Sequence, residues 1–445
     1  MIMRAMKDSG IEWIGEIPVG WNTPPLKSKY SFGKGLSISK SDLSNDGAKV
    51  ISYGQIHSKE NVVVSVRDSL IRYLSWDNEN LSQTAKTNIG DLIFADTSED
   101  LQGCGTCVYI DRDDPIYAGY HTLILQPKSN KLGRYYAYLF ATDAWRAQVR
   151  SNVFGVKVYS ITQDVLKNTL LLEPSEDEQE RIVKYLDRKC AEIDALITAK
   201  EKANVLLKER RKSIIYEAVT KGLDPSVPMK DSGVEWIGMV PEGWEIAALK
   251  RLGTPATGST PSKDNADYWD GDIPWVSSKD MKSDYLLGSE DHITQAAVDE
   301  CGLTLFAPGT LIFCVRSGIL RHTFPVTVAT LPVTINQDLR ALSLTSDVNP
   351  AFLLYYMRGM NDTIVTFYQK IGATVESIEM DWFLYFPVVL PSREEQDRIV
   401  EALDSRCSAL DQIVQQNETT IRQLKEYRQS LVYEAVTGKI EVQYV

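Results

Sequence analysis

The side chains best suited to chemistry in this chain are cationic and hydrogen-bonding groups in glycine-bounded loops, and they come in two sets. In the first, Lys34, Ser37, Ser39 and Lys40 share a polar loop, Tyr53, Gln55, His57 and Lys59 follow a β-rich run, and His121 follows a Gly-Tyr pair. In the second, Thr260, Ser262 and Lys263 share a Gly/Pro/Ser loop, and Trp275, Ser277 and Lys279 come next. Arg316, Ser317 and Arg321 then surround a glycine, and Asn336 with Gln337 offers two adjacent amides. These groups suit recognition better than bond breaking. Glutamine takes adenine through two hydrogen bonds and arginine takes guanine, while lysine, serine and tyrosine suit phosphates or base edges.

Catalytic arrangements are missing from the sequence. It has no phosphate-binding GxxxxGK[ST] loop, no GxGxxG turn and no HExxH, and only four histidines, His57, His121, His292 and His322. Cys104 and Cys107 have zinc-like spacing, but no second cysteine pair or histidine pair follows at a matching interval, so no metal is expected. The DPIY run at 114–117 lacks the second proline of the adenine-binding motif of amino-methyltransferases, and no glycine-rich cofactor loop accompanies it.

The elements that must position the loops are written twice. Residues 174–222 begin PSEDEQERIVKYLD and end YEAVTKG; residues 391–439 begin PSREEQDRIVEALD and end YEAVTGK. The offset is constant, since 391 minus 174 and 433 minus 216 both give 217. Ser175 with Glu178, and Ser392 with Glu395, predict a capping box after a helix-stopping proline. A seven-residue series predicts the buried stripe: Leu186, Ile193, Lys200, Leu207 and Ile214 in one copy, Leu403, Leu410, Asn417, Leu424 and Leu431 in the other. Leu196, Ile197 and Ala218 widen the first stripe; Ile413, Val414, Ile421 and Ala435 widen the second. Each copy makes a rod of roughly 65–70 Å. Two such rods with single apolar stripes predict an antiparallel pair, with Lys200 near Asn417 as a polar register mark.

The duplication extends further. MKDSGIEWIGEIPVGW at 6–21 recurs as MKDSGVEWIGMVPEGW at 229–244. The organisation is therefore a lead-in motif and module at 1–172, a helix at 173–222, a joint with lead-in motif and module at 223–389, and a helix with tail at 390–445. Both modules read as mixed α/β, with helix-like runs at 135–149 and 351–368. The GDLIF run at 90–94 matches GTLIF at 309–313, Ser160-Ile161 matches Ser377-Ile378, and Gly155 matches Gly372. Between these anchors the side chains differ: 51–57 stands opposite 273–279, and 119–121 opposite 336–338. Two copies that keep one frame but carry different loops predict two similar modules reading two different things.

The formal net charge of −12 excludes a simple basic nucleic-acid binder. Residues 22–172 carry 17 basic and 15 acidic side chains, against 10 and 17 in 245–389, so any field attracting DNA is local or supplied by partners. No apolar run reaches membrane-spanning length and the first residues lack a signal-peptide core, so a cytoplasmic location is expected.

The twin WIGxxPxGW lead-ins, the twin PSxxEQxRIVxxLD helix starts and the twin YEAVT helix ends resemble the specificity subunits of type I DNA restriction–modification enzymes over nearly the whole length. GLSISKSDL, VISYGQIHSKE and YWDGDIPWVSSKDMK resemble phrases of that family's target-recognition domains. The resemblance implies two target-recognition domains joined by long antiparallel coiled-coil helices with a pseudo-twofold repeat, each domain reading half of a bipartite, asymmetric double-stranded DNA site. It implies a non-catalytic chain whose partners are two methylation subunits, bearing S-adenosylmethionine and the adenine-N6 chemistry, and two restriction/translocase subunits using ATP and Mg. This chain itself would bind no cofactor. The half-sites would lie about one DNA turn apart, near 10 bp. A coiled-coil adaptor for protein partners, and the specificity subunit of a related system cutting beside its site, are the alternative readings.

Overall fold

The computed structural model describes residues 4–76, 81–129, 133–155, 157–370 and 374–442; Gly372, matched above to Gly155, lies outside them. Two helices dominate, Glu176–Lys221 with 46 residues and Arg393–Val436 with 44. Their starts are built alike. The Ser175 and Ser392 hydroxyls accept from the backbone N–H of Glu178 and Glu395 at 3.3 Å, and the Gln179 and Gln396 amides donate back to the carbonyls of Pro174 and Pro391 at 3.0 Å. The expected reciprocal capping box is only half made, because both glutamates are used elsewhere. Glu178 accepts from Trp21 Nε1 at 2.9 Å and from both Arg4 amino groups at 2.6 and 3.0 Å, and Glu395 accepts from Trp244 Nε1 at 3.0 Å. Gly222 and Gly438, at φ of 78° and 69°, close the two helices in the left-handed conformation that favours glycine.

The chain forms two compact units, one of residues 1–200 with 419–445 and the other of residues 201–418. Each unit takes part of both long helices, so the units cut across the linear division read from sequence. In the first, Leu186, Cys190, Ile193 and Ile197 share a core with Ile421, Leu431, Val432, Ala435 and Val436. In the second, Ile215, Ala218 and Val219 share one with Ile399, Leu403 and Cys407. The start of each helix thus meets the end of the other, which makes the pair antiparallel. The lead-in tryptophans lie at these junctions: a Cβ on Gly438 would stand 3.1 Å from Trp21 Cζ2, and one on Gly222 would stand 3.2 Å from Trp244 Cζ2.

The buried stripe departs from the heptad expectation. Ile182, Ile193, Asn204 and Ile215 are buried, as are Ile399, Ile421 and Val432, with Leu410 half-buried between them. Both series advance by eleven residues, or 3.67 per turn, close to a straight α-helix. A seven-residue count coincides with this over the first turns and then drifts off the seam. Lys200, Leu207, Ile214, Asn417 and Leu424 are consequently half-buried, and Leu196 and Ile413 are exposed by 53% and 45%. Asn417 Nδ2 donates to Asn204 Oδ1 at 2.9 Å, one turn beyond Lys200.

Each module is built on a sheet whose central strands are antiparallel and correspond, the second adding Tyr285–Leu286 as a parallel edge strand. The first orders Tyr30–Lys34, Thr122–Pro127, Leu92–Ala95 and Cys107–Tyr109; the second orders Gly253–Thr257, Leu339–Leu344, Leu311–Cys314, Val326–Ala329 and Tyr285–Leu286. A second sheet in each contains one parallel pair, Ala48–Ile51 with Ile116–Ala118 and Trp269–Val276 with Thr334–Ile335. The helix-like runs are each broken in two, into Arg134–Ala141 and Asp143–Arg150, and into Pro350–Gly359 and Asn361–Phe367. In the first break the Thr142 hydroxyl accepts from Trp145 N–H and restarts the helix. Tyr138 and Tyr355 donate to Asp187 and Asp404 at 2.7 and 2.6 Å, pinning each module to the start of the long helix that follows it. Burial and these carboxylates push both phenols well above the ordinary tyrosine range.

Candidate nucleic-acid interface

Four backbone segments meet at one place in each module, and the hydrogen bonds that join them are the same in both. The loop after the first strand begins at Gly35 or Gly258, where Leu36 N–H donates to Ala118 O at 2.9 Å and Ser259 N–H to Ile335 O at 3.0 Å. A Cβ on either glycine would lie 2.1 Å from a carbonyl oxygen, so the crossing admits no side chain. The second segment is a one-turn cap, Ser52 with Gln55 or Ser277 with Asp280. The third begins at Gly119 or Asn336, whose N–H donates to Ile51 O at 2.7 Å or Val276 O at 2.9 Å. The fourth follows the central strand: Ile161 N–H donates to Asp96 O at 2.7 Å, and Ile378 N–H to Val315 O at 2.8 Å.

This frame corrects one pairing read from the sequence. Residues 119–121 do stand opposite 336–338, but Ser52 stands opposite Ser277, so Tyr53, Gln55 and His57 face Ser278, Asp280 and Lys282. The slip of three residues arises because Ser52 directly follows Ile51, whereas the strand Trp269–Val276 runs three residues past Ile273 before Ser277.

In the first module the frame carries an aromatic and imidazole cluster. The Tyr53 ring lies edge-on to Tyr120, His121 and His57 at 5.6, 5.5 and 6.3 Å. His57 Nε2 is 2.9 Å from Thr97 O, and His121 Nδ1 is 3.3 Å from Asp96 Oδ1 and 3.4 Å from Thr97 Oγ1. His121 sits at φ 54°, a strained position for a residue with a side chain, and its ring is largely exposed. Burial, with Tyr53 adding to it, raises Tyr120 above the ordinary tyrosine range, so it remains a neutral donor. Lys34, Ser37, Lys40 and Lys59 are exposed. Ser39 and Gln55 are committed to local shape: Ser39 bonds Asp42, and Gln55 Oε1 accepts from Ser52 N–H.

In the second module several candidates prove structural. Trp275 is buried, with Nε1 donating to Ser259 O at 3.0 Å, and Asn336 is buried, with its side-chain oxygen accepting from Asp338 N–H. Ser277 caps with Asp280. Lys279 is held by Asp291 at 2.8 Å and Glu290 at 3.2 Å, which raise its pKa, and Arg321 is locked onto Glu376. Glu376 lies below the ordinary carboxylate range, through its own backbone N–H first and Arg321 second. Thr260 donates to Gln337, which is exposed together with Ser262, Lys263 and Arg316; Ser317 is half-exposed.

Asp96 and Thr97, which meet the two imidazoles, lie just beyond the matched GDLIF strand and are absent from the candidates named from sequence, while Tyr120 lies within the 119–121 segment that differs between the copies. Cys104 and Cys107 are both buried, and burial pushes the Cys107 thiol up to about 12 against the pull of Arg146. Among the described residues no group of three or more His, Cys, Asp or Glu could hold a metal, and no helix is long and apolar enough to cross a membrane.

A family model for the type I restriction modification DNA specificity domain matches residues 18–206 and again 241–425. The chain belongs to this family. The two matches fall on the two halves of the internal repeat, so each module with its following helix is one copy of the specificity domain. The chain is 30% identical over 259 residues to the EcoR124I/EcoR124II specificity subunit of Escherichia coli, covering 57% of this chain and 59% of that protein. It is 31% identical over 194 residues to the MjaIX specificity subunit of Methanocaldococcus jannaschii, covering 41% of this chain and 42% of that one. These alignments span about half the length of either relative. Another M. jannaschii protein, the putative MjaX specificity subunit, aligns at 22% identity over 96% of both chains. Among solved structures, a chain from a study of type I R-M complex assembly and conformational transition superposes with a TM-score of 0.72 at 18% identity, over 95% of this chain and 99% of its own. The HsdS subunit from Thermoanaerobacter tengcongensis superposes at 0.53, also at 18% identity, over 95% and 98%. Both support the specificity-domain fold.

Proposed function

We propose that this chain is the DNA sequence-recognition subunit of a type I restriction–modification complex, and that each module reads one half of a bipartite, asymmetric double-stranded site. The observation that carries this is the repeated frame with unlike contents. The same four segments are joined by the same backbone hydrogen bonds, yet one copy presents tyrosines and histidines and the other presents an arginine, a glutamine and a lysine. A frame kept while its exposed groups diverge is what two readers of different base sequences require.

On this reading the antiparallel helices set the spacing of the half-sites, and two methylation subunits dock on the helices and lead-in motifs. S-adenosylmethionine and the adenine chemistry belong to those subunits, and ATP and Mg to two translocase subunits, while this chain contributes recognition alone. The acidic balance of the second module is then offset by partner surfaces around the duplex.

Gel shift with a duplex pool, with and without methylation subunits and across a salt series, tests the reading. A sequence-dependent complex that weakens steeply with salt is expected. A protein adaptor gives no such complex.

A further inference from the structure

One place in the frame differs in chemistry between the two modules while its backbone pairs with the equivalent serine in both. Just beyond the central strand, Thr97 pairs with Ser160 in the first module and Arg316 bridges to Ser377 in the second. Arg316 N–H donates to Asp338 O at 3.2 Å, and Ser317 N–H to Glu376 O at 3.0 Å, so the root of the arginine is fixed on both sides. Thr97 keeps its hydroxyl inside the module, donating to Asp96 Oδ1 at 2.6 Å. Arg316 is exposed and has no ion-pair partner among the described residues, whereas Lys279, Lys282, Arg321, Arg358 and Lys370 of the same module each have one.

A guanidinium offers five donors in a planar fork and no acceptor. That fork matches O6 and N7 of guanine in the major groove. It also suits a phosphate, and the surroundings decide between them. Because backbone bonds to Asp338 and Glu376 fix the root of Arg316 on both sides, its fork is held in one direction, as a two-bond contact to a base edge requires and a phosphate does not. Resting on the reading of the modules as DNA readers, we infer that the place held by Thr97 and Arg316 determines specificity, and that Arg316 reads a guanine in the second module's half-site.

The test uses the full-length chain with its methylation subunits and a randomised duplex library at fixed salt, sequencing the bound DNA for wild type, Arg316→Ala, Arg316→Lys and Arg321→Ala. Wild type should select a guanine in one half-site. Arg316→Ala should lose preference for it at that position by roughly 5- to 150-fold, with the other half-site unchanged. Arg316→Lys keeps the charge but not the fork and should lose the same preference, so a folding fault in the alanine variant cannot decide the outcome. Arg321→Ala should select the wild-type bases. The inference is overturned if Arg316→Ala weakens all sequences equally and lowers the salt slope by about one, the mark of a phosphate contact. It is also overturned if the variants select the wild-type bases, or if the wild-type half-site holds no guanine. Wild-type binding without any base preference would instead bring down the reading of the modules as DNA readers.

Discussion

Trp21 and Trp244 fill the same role at the two helix starts: each indole N–H donates to a glutamate one turn into a long helix, and each ring covers the glycine that ends the other helix. Trp244→Phe keeps an aromatic ring but takes the indole donor from Glu395, so it should cost about 1.5–3 kcal/mol in a denaturation experiment, and Trp21→Phe should cost less, because Arg4 still holds both oxygens of Glu178. In the first module, Tyr53 is the ring that Tyr120, His57 and His121 all meet. Tyr53→Ala should relax base selection in that half-site by about 1–3 kcal/mol and leave the other half-site untouched, as read by sequencing of bound DNA. The Arg321–Glu376 pair gives a pH test with a definite sign. A carboxyl depressed on folding contributes stability above its unfolded pKa and loses it as pH falls through the folded value, so this contribution should fade only below the ordinary carboxylate range. Residue types alone pointed to the loops but could not sort them. Trp275, Asn336 and Ser277 look like readers in sequence because their commitment to nearby backbone and to Asp280 depends on contacts only the fold creates.

The long helices were legible almost to the residue, because proline, serine and glutamate mark each start and glycine each end. Their buried seam was less so. Seven- and eleven-residue spacings coincide from Leu186 to Ile193 and separate only near mid-length, where Asn204 is buried and Lys200 is not. The Asn204–Asn417 bond is a polar pair inside an apolar seam, the arrangement that gives up stability to fix register. Asn204→Leu with Asn417→Leu should therefore raise the melting temperature while broadening the range of spacer lengths accepted in a binding selection. A four-residue insertion at matching points of both helices adds about 6 Å. It should lengthen the preferred spacer by one or two base pairs with both half-site sequences intact, as read by the same selection.

At the scale of the whole molecule, duplication explains why one sequence supports so much inference. The modules, the helices and the lead-in motifs all occur twice, and the two copies share a scaffold while their exposed loops differ. The repeat misled where the match was made on a single isoleucine, since Ile51 and Ile273 look equivalent until the backbone bonds place Ser52 opposite Ser277. The central claim is that residues 22–172 and 245–389 are independent readers of two half-sites. The most direct measurement maps methylated adenines and their flanking sequence in DNA from cells carrying the methylation partner with either this chain or a version in which those two modules are exchanged. The account predicts a bipartite motif for the natural chain and the same two half-sites in reversed order for the exchanged one. A folded exchanged chain that left the order unchanged, or that specified half-sites related to neither original, would contradict it.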